Sequence, residues 1–395
     1  MTEKARPTIP AGEFEDRRRR LRERMAVERL DAFIAYSDDR ATFGQQHARY
    51  LFNYQPHFEA ALSVVPLEGD AFIATGPESE ALVRATSYCR DVRVVDAFTH
   101  PDEEYPYLAI HKLADALNSL RVGARRLRRI AIAGGDSMPK RLWDALLAAT
   151  DAELVDGDRL ILGLRAIKSA SEIAVIREAY LIAEAGTAAA LAATTSGISE
   201  REIAAEAEHA MRRMGSEGMG IDTIVGSGKE NTFAILSRTT NRRIGRGDHV
   251  LITLAPRYEG YHAAIGRVAA VGPIDERIEQ AMAVAIKSQE ATAAALRPGV
   301  TGAELDAISR EVCRAAGLER YFAYSGIHSV GLVEFEAPIL TSKSKEPLSA
   351  DMVLSIDIPI FFAPWGGLRV EDGFLVTAAG AEPLQKIAKE IHYVS

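Results

Sequence analysis

At 395 residues the chain is long enough for two domains. Its 47 basic and 55 acidic side chains leave a formal charge of −8, so it lacks the basic footprint of a general nucleic-acid binder. Two cysteines, Cys89 and Cys313, exclude a disulfide scaffold or a Cys-rich zinc module.

Residues 13–28 read as a helix with Leu21 and Met25 on one side. Arg17 to Arg20 and Arg22, interrupted by Glu13, Glu15, Asp16 and Glu23, read as its solvated face. LDAFIAYS and AALSVVPLEGDAFIAT read as buried strands, the latter turning at Glu68-Gly69-Asp70. A helix (ESEALVRATSYC), a strand (VRVVDAF), a helix (YLAIHKLADALNSL), a strand (RRIAIAGG) and a helix (PKRLWDALLAAT) follow. This alternation predicts an α/β domain with a mostly parallel or mixed sheet over residues 1–160. The amino-terminal stretch shows no apolar signal-peptide core, and no run is long enough to cross a bilayer. The expectation is a cytoplasmic protein without nucleic-acid or membrane partners.

Residues 161–395 contain an internal repeat. Gly197-Ile198-Ser199-Glu200-Arg201-Glu202-Ile203 recurs as Gly299-Val300-Thr301-Gly302-Ala303-Glu304-Leu305. Each copy follows a long Ala-rich helix and opens a second helix ending near Gly215 or Gly317. Ser199 with Glu202 and Thr301 with Glu304 have capping-box spacing, as do Ser169 and Glu172. Strand-rich sequence with turns follows each helix pair. Two helix–helix–hairpin units predict one domain with pseudo-twofold symmetry and a cleft between its halves.

Several of these segments resemble the creatinase/prolidase/aminopeptidase P family. LRAIKSASEIAVIREAYLIAEAG is similar to the start of that family's catalytic domain, and GRGDHVLITLAPRYEGYHAAIGR to its metal-binding hairpin. IHSVGLVEFEAP is similar to the segment carrying a ligand histidine, and SIDIP and RVED to two carboxylate-bearing strands. The resemblance implies an α+β pita-bread domain with a pseudo-twofold repeat, preceded by a creatinase-type α/β domain. Peptidases of this family hold two metal ions through two aspartates, a histidine and two further carboxylates. The corresponding positions here are Thr253, Ala264, His328, Asp357 and Glu371. An Ala ligates nothing, so the expectation is no dinuclear centre and no cofactor. A single weak divalent ion on His328, Asp357 and Glu371 stays open. Creatinase works without metal through a cleft histidine, but that position falls near Leu236; a preceding glutamate position is Gly266 and a second family histidine is Phe335.

The catalytic candidates are therefore His328, Glu371, Asp357 and His262. A histidine beside carboxylates titrates near neutral pH and suits proton transfer. His262 qualifies if strand alternation places it on the same side as Ala264; alternatively it is a hydrogen-bonded core histidine. Arg369 and Arg238 are substrate-binding candidates, since an Arg fork suits a carboxylate, although Arg369 could instead pair with the cleft acids. His57 and Phe58 lie in Tyr54-Gln55-Pro56-His57-Phe58-Glu59, where the family sends a loop across a homodimer interface. They either touch substrate or simply pack there. The expected activity is creatinase-like hydrolysis of a C–N bond in a small amino-acid-derived or zwitterionic molecule. The alternatives are an Xaa-Pro dipeptidase or aminopeptidase with an aberrant metal site, and an inactive binding protein of this fold.

Overall fold

The computed structural model describes residues 6–40 and 44–394. The chain divides between Arg165 and Ala166 into two compact units, with the short segment before Ile9 belonging to the second.

In the first unit, the helix Ala11–Val27 buries Phe14, Arg17, Leu21 and Met25, a stripe at helical spacing. Arg17 departs from the solvated face expected of the arginine run. Its guanidinium lies 5.0 Å from the Phe14 ring centroid and 4.4 Å from that of Tyr50, and pairs with Glu13 at 2.6 Å. Those contacts offset the desolvation of a charge that is wholly buried. Arg19, by contrast, is exposed between Asp16 and Glu23.

A mixed six-stranded sheet forms the body of this unit, in the order Asp91–Val94, Phe72–Thr75, Ala61–Pro66, Ala32–Ser37, Arg129–Ala133, Glu153–Asp156. Ala32–Ser37 runs parallel to Arg129–Ala133 and antiparallel to Ala61–Pro66. The helix expected over YLAIHKLADALNSL contracts to Leu113–Asn118. His111 bonds in extended conformation to the backbone of Val94 and Asp96, and the Asp96 carboxylate accepts the Leu113 N–H where the helix begins.

The second unit begins with the helix Ala170–Ala193, packed on Glu200–Arg213. Its second half repeats the pair with Glu276–Ala295 and Gly302–Ala315. All three capping boxes form: Ser169, Ser199 and Thr301 each accept from the amide of the glutamate three residues on, which reaches back to the cap amide.

These helices accompany a nine-stranded sheet. Its main path runs Glu336–Leu340, Gly326–Ser329, Val353–Ala363, Gly366–Thr377, Ile265–Val271, His249–Leu254, Ile224–Ser227. Along Leu354–Ile360 and Leu368–Val376 the residues alternate, and the pairing is bulged only after Ile360. Leu354, Ile356, Ile358, Ile360, Leu368 and Val370 enter the core with Ile278, Met282 and Leu305 of the second helix pair. Each such side chain contributes roughly 1.5–3 kcal/mol on burial. Ser355, Asp357, Arg369 and Glu371 consequently face the opposite side. The regular pleat thus selects which residues form the cleft.

Beside this cleft, and pointing away from it, Arg267 pairs with Asp372 at 2.6 Å, and both side chains are fully buried. Arg267 also donates to the carbonyls of Ile387 and Ala388, tying the chain's last segment to the sheet. Replacing one partner leaves an uncompensated buried charge. Arg267→Met is therefore expected to cost about 3–5 kcal/mol in denaturant unfolding.

Candidate active site

A row of directly paired residues crosses the second unit's sheet. Thr253 faces Gly266, Gly266 faces Glu371, Glu371 faces Asp357, and Asp357 faces Gly326. Facing residues of an antiparallel pair project to the same side, so Thr253, Glu371 and Asp357 share one face. His328 is paired with Ser355 and joins them. Gly266 matters because it lacks a Cβ: one built there would stand 3.0 Å from both Arg369 Cγ and Glu371 Cβ. The space is taken by the bent Arg369 side chain.

Four buried ionisable groups meet on this face, His328, Asp357, Arg369 and Glu371, and the nearly buried Glu334 joins them from the following bends. His328 Nε2 lies 3.7 Å from Glu371 Oε1 and 3.8 Å from Glu334 Oε1. Its other ring nitrogen, Nδ1, is 3.0 Å from the Ser329 carbonyl, which fixes the ring with Nε2 toward the acids. Ser355 Oγ donates to Glu371 Oε1 at 2.8 Å. Arg369 stands between the remaining carboxylate oxygens, with Nε 3.6 Å from Asp357 Oδ2 and Nη1 4.0 Å from Glu371 Oε2. The Tyr324 hydroxyl makes a long contact to Asp357 Oδ2 at 3.4 Å, while Asp357 Oδ1 and Thr253 Oγ1 are buried without a hydrogen-bond partner.

Burial and the crowding of acids set the protonation. Desolvation pushes Glu334 and Asp357 up to about 7, despite the opposing pull of His328 and Arg369. Glu371 is also desolvated, but the neighbouring His328 and the charge of Arg369 prevail and hold it below the usual glutamate value. Burial works to lower His328, yet Glu371 and Glu334 outweigh it and raise the imidazole above its ordinary value.

His328, Asp357, Glu371 and Arg369 thus come together. Arg369 is held by the two cleft acids instead of presenting a free fork. His262 is buried but turned to the Gly331 carbonyl, 3.1 Å from Nδ1. The alternation argument fails for it because the strand Tyr261–His262 ends there, and the next strand begins only at Ile265. Arg238 is fully exposed and reaches only Asp222, at 3.9 Å, so it is no part of this cluster. His57 and Phe58 belong to the first unit. Phe58 is 78% exposed and adopts φ of 69°, in a turn closed by the Glu59 amide on the His57 carbonyl.

Glu334 and Tyr324 escaped sequence reasoning. Glu334 enters from a run of bends between two strands, where no period assigns a side. Phe335, at the second histidine position, stacks on His328 with centroids 4.3 Å apart. Behind them the buried Lys168 ammonium bridges Ser329 Oγ at 2.8 Å and Glu336 Oε2 at 3.2 Å, anchoring both ends of the bent segment.

The donor set does not fit two metal ions. Ala264 has no donor atom, Thr253 offers only a neutral hydroxyl, and Arg369 already supplies positive charge to Asp357 and the outer oxygen of Glu371. One ion is a different matter, since His328, Glu334 and Glu371 each offer an atom within 4.8 Å of the others. This set differs from the His328–Asp357–Glu371 set expected from sequence: Asp357 is turned toward Arg369 and Glu334 takes its place.

A cleft of buried acids and a histidine on a sheet flanked by duplicated helix pairs defines the pita-bread hydrolase architecture. The prolidase of Pyrococcus horikoshii OT3 superposes with a TM-score of 0.81 at 26% identity, over 95% of this chain and 99% of that one. The X-Pro aminopeptidase of Thermotoga maritima MSB8 gives 0.82 at 25% identity, over 95% and 99%. An Xaa-Pro dipeptidase of Pyrococcus furiosus is 36% identical over 234 residues, 59% of this chain and 67% of that protein. Residues 174–378 match the model of metallopeptidase family M24. The chain belongs to metallopeptidase family M24 and is a hydrolase.

The shifted groups make stability depend on pH. Glu334, Asp357 and His328 hold protons more firmly in the folded state than in the unfolded one. Their stabilisation is complete below the unfolded pKa values and is lost as pH rises through the folded ones. Glu371, shifted downward, loses its contribution only as pH falls through the acid range. With chelator present, the melting temperature should fall between pH 5.5 and 8.5, and Asp357→Asn should flatten that slope; differential scanning fluorimetry reads both.

Proposed function

We propose that this chain hydrolyses the C–N bond of a small amino-acid-derived amide, with Xaa-Pro dipeptides as its first substrate class. The observation that carries the reading is the buried convergence of His328, Glu334, Glu371, Asp357 and Arg369 on one sheet face. The names of the P. furiosus relative and of the two structural neighbours favour the dipeptide. A second reading, a creatinase-like substrate, is favoured by the loss of acids at Thr253 and Ala264.

In this mechanism Asp357 carries the proton. Both ring nitrogens of His328 are engaged, by Ser329 and by the two glutamates, whereas Asp357 Oδ1 has no partner and is free to meet water or the departing nitrogen. Asp357 takes a proton from water as the oxygen adds to the carbonyl carbon. It returns that proton to the nitrogen as the C–N bond breaks. Arg369 holds Asp357 and Glu371 in register and offsets their charge. The His328 end of the cleft, supported by Glu371, lies on the side of the oxygen on which negative charge develops. A divalent ion held by His328, Glu334 and Glu371 would supply Lewis acidity at that same place.

We also place the protein in the cytoplasm, where its two buried free thiols suit a reducing medium; no helix among the described residues is long and apolar enough to cross a membrane. The exposed Phe58 turn supports a homodimer in which His57 and Phe58 meet a second copy. A clean monomer by light scattering at micromolar concentration would remove them from the site.

Turnover should be sought with Xaa-Pro dipeptides, creatine-like guanidino acids and cyclic amidines. On the substrate found, Asp357→Asn should lower kcat by about 10²–10⁴-fold with KM little changed, and His328→Ala and Glu371→Gln should also reduce kcat. Unchanged rates in all three variants would defeat this site. No turnover across the panel would favour the binding-protein alternative.

A further inference from the structure

His328, Glu334 and Glu371 come from different parts of the sheet region, yet their ligand atoms lie within 4.8 Å of one another and all three residues are buried or nearly so. Each is already aimed. The Ser329 carbonyl orients the imidazole, Ser355 Oγ orients Glu371, and the Lys168 ammonium ties down the segment bearing Glu334 through Ser329 and Glu336. Such supporting bonds are what a metal site requires of its surroundings. Gly331 has no Cβ because one there would strike Glu336 Oε2 at 2.2 Å, so this anchoring depends on it.

The same face shows three polar atoms without hydrogen-bond partners. Asp357 Oδ1 and Thr253 Oγ1 are buried in the row that contains Glu371, and Arg369 Nε is buried 3.6 Å from Asp357 Oδ2. Buried polar atoms without partners are scarce in native proteins and point to a missing water or ion. Charge leads to the same place. Three carboxylates face a single guanidinium in the cleft, and that guanidinium is committed to Asp357 and to the outer oxygen of Glu371. The inner oxygens have only the His328 imidazole beside them, at 3.7 and 3.8 Å.

We propose that His328, Glu334 and Glu371 form a mononuclear site for a divalent transition-metal ion, with Glu334 as a ligand recruited from outside the family's five positions. One imidazole nitrogen and two carboxylate oxygens form a borderline donor set suited to Mn²⁺, Co²⁺ or Zn²⁺. Donors about 2.1 Å from a tetrahedral ion stand about 3.4 Å apart. The His328 separations of 3.7 and 3.8 Å therefore need to close by only a few tenths of an ångström. Three protein ligands leave open positions for water or substrate. Arg369 keeps the count at one, because a second dication would have to displace it. The proposal uses the cleft of the proposed function as its site, yet binding alone tests it, so either can fail without the other.

The full chain, stripped with chelator and dialysed, is titrated with Co²⁺ by calorimetry and visible absorption, and with Mn²⁺ by calorimetry. One equivalent per chain is expected, with visible Co²⁺ bands showing nitrogen and oxygen ligation. Glu334→Gln should weaken binding at least tenfold, Glu334→Asp should weaken it less, and Asp357→Asn should keep the single equivalent. Melting curves taken without metal confirm that the variants are folded. Two equivalents, no binding at millimolar ion, or wild-type affinity in folded Glu334→Gln and Glu334→Asp would each overturn the proposal.

Discussion

The second unit is organised around an excess of negative charge that its backbone cannot relieve by moving. Glu371 and Asp357 face each other across two long, regular strands whose opposite sides are packed into the core. The pleat that buries Ile356, Ile358 and Val370 forces these acids into the cleft. Low dielectric then magnifies every charge–charge interaction there. Among the described residues the counter-charges within reach are Arg369, from the same strand as Glu371, and His328, from the strand beside Asp357. The ladder holds the acids in place and leaves the compensating cation to be chosen.

This chain keeps the architecture of its M24 neighbours over nearly its whole length. In its own cleft the positions Thr253 and Ala264 carry no acid, whereas Glu334 brings one in from the bent segment after His328. The buried Lys168–Glu336 pair gives that bent segment a fixed base.

Much of this was readable from sequence because it rests on short-range chemistry. The three hydroxyl–glutamate caps and the glycine-opened repeat are local signals, and each forms as the residue types dictate. His328, Asp357, Arg369 and Glu371 lie on regular strands, where a period of two assigns the face. Glu334 is invisible to sequence because bends have no period, and alternation cannot assign a side to His262 because its strand ends there. Arg238 looked like a fork for an anion, but its side chain extends into solvent with one distant partner. Arg17 reads as surface in sequence because charge in a run suggests solvation, whereas two aromatic faces and Glu13 supply what water would have given. In each failure the deciding contact came from a residue far away in the chain or from a break in regular structure.

Gly266 carries an implication for redesign of the cleft. A Cβ at that position would stand 3.0 Å from both Arg369 and Glu371, so the path of the arginine and the bare backbone are coupled. An acid introduced at 253 or 264 would meet a cleft already partly neutralised by that guanidinium. Reshaping this face therefore means changing 266 and 369 together, because packing holds the present arrangement as much as charge does.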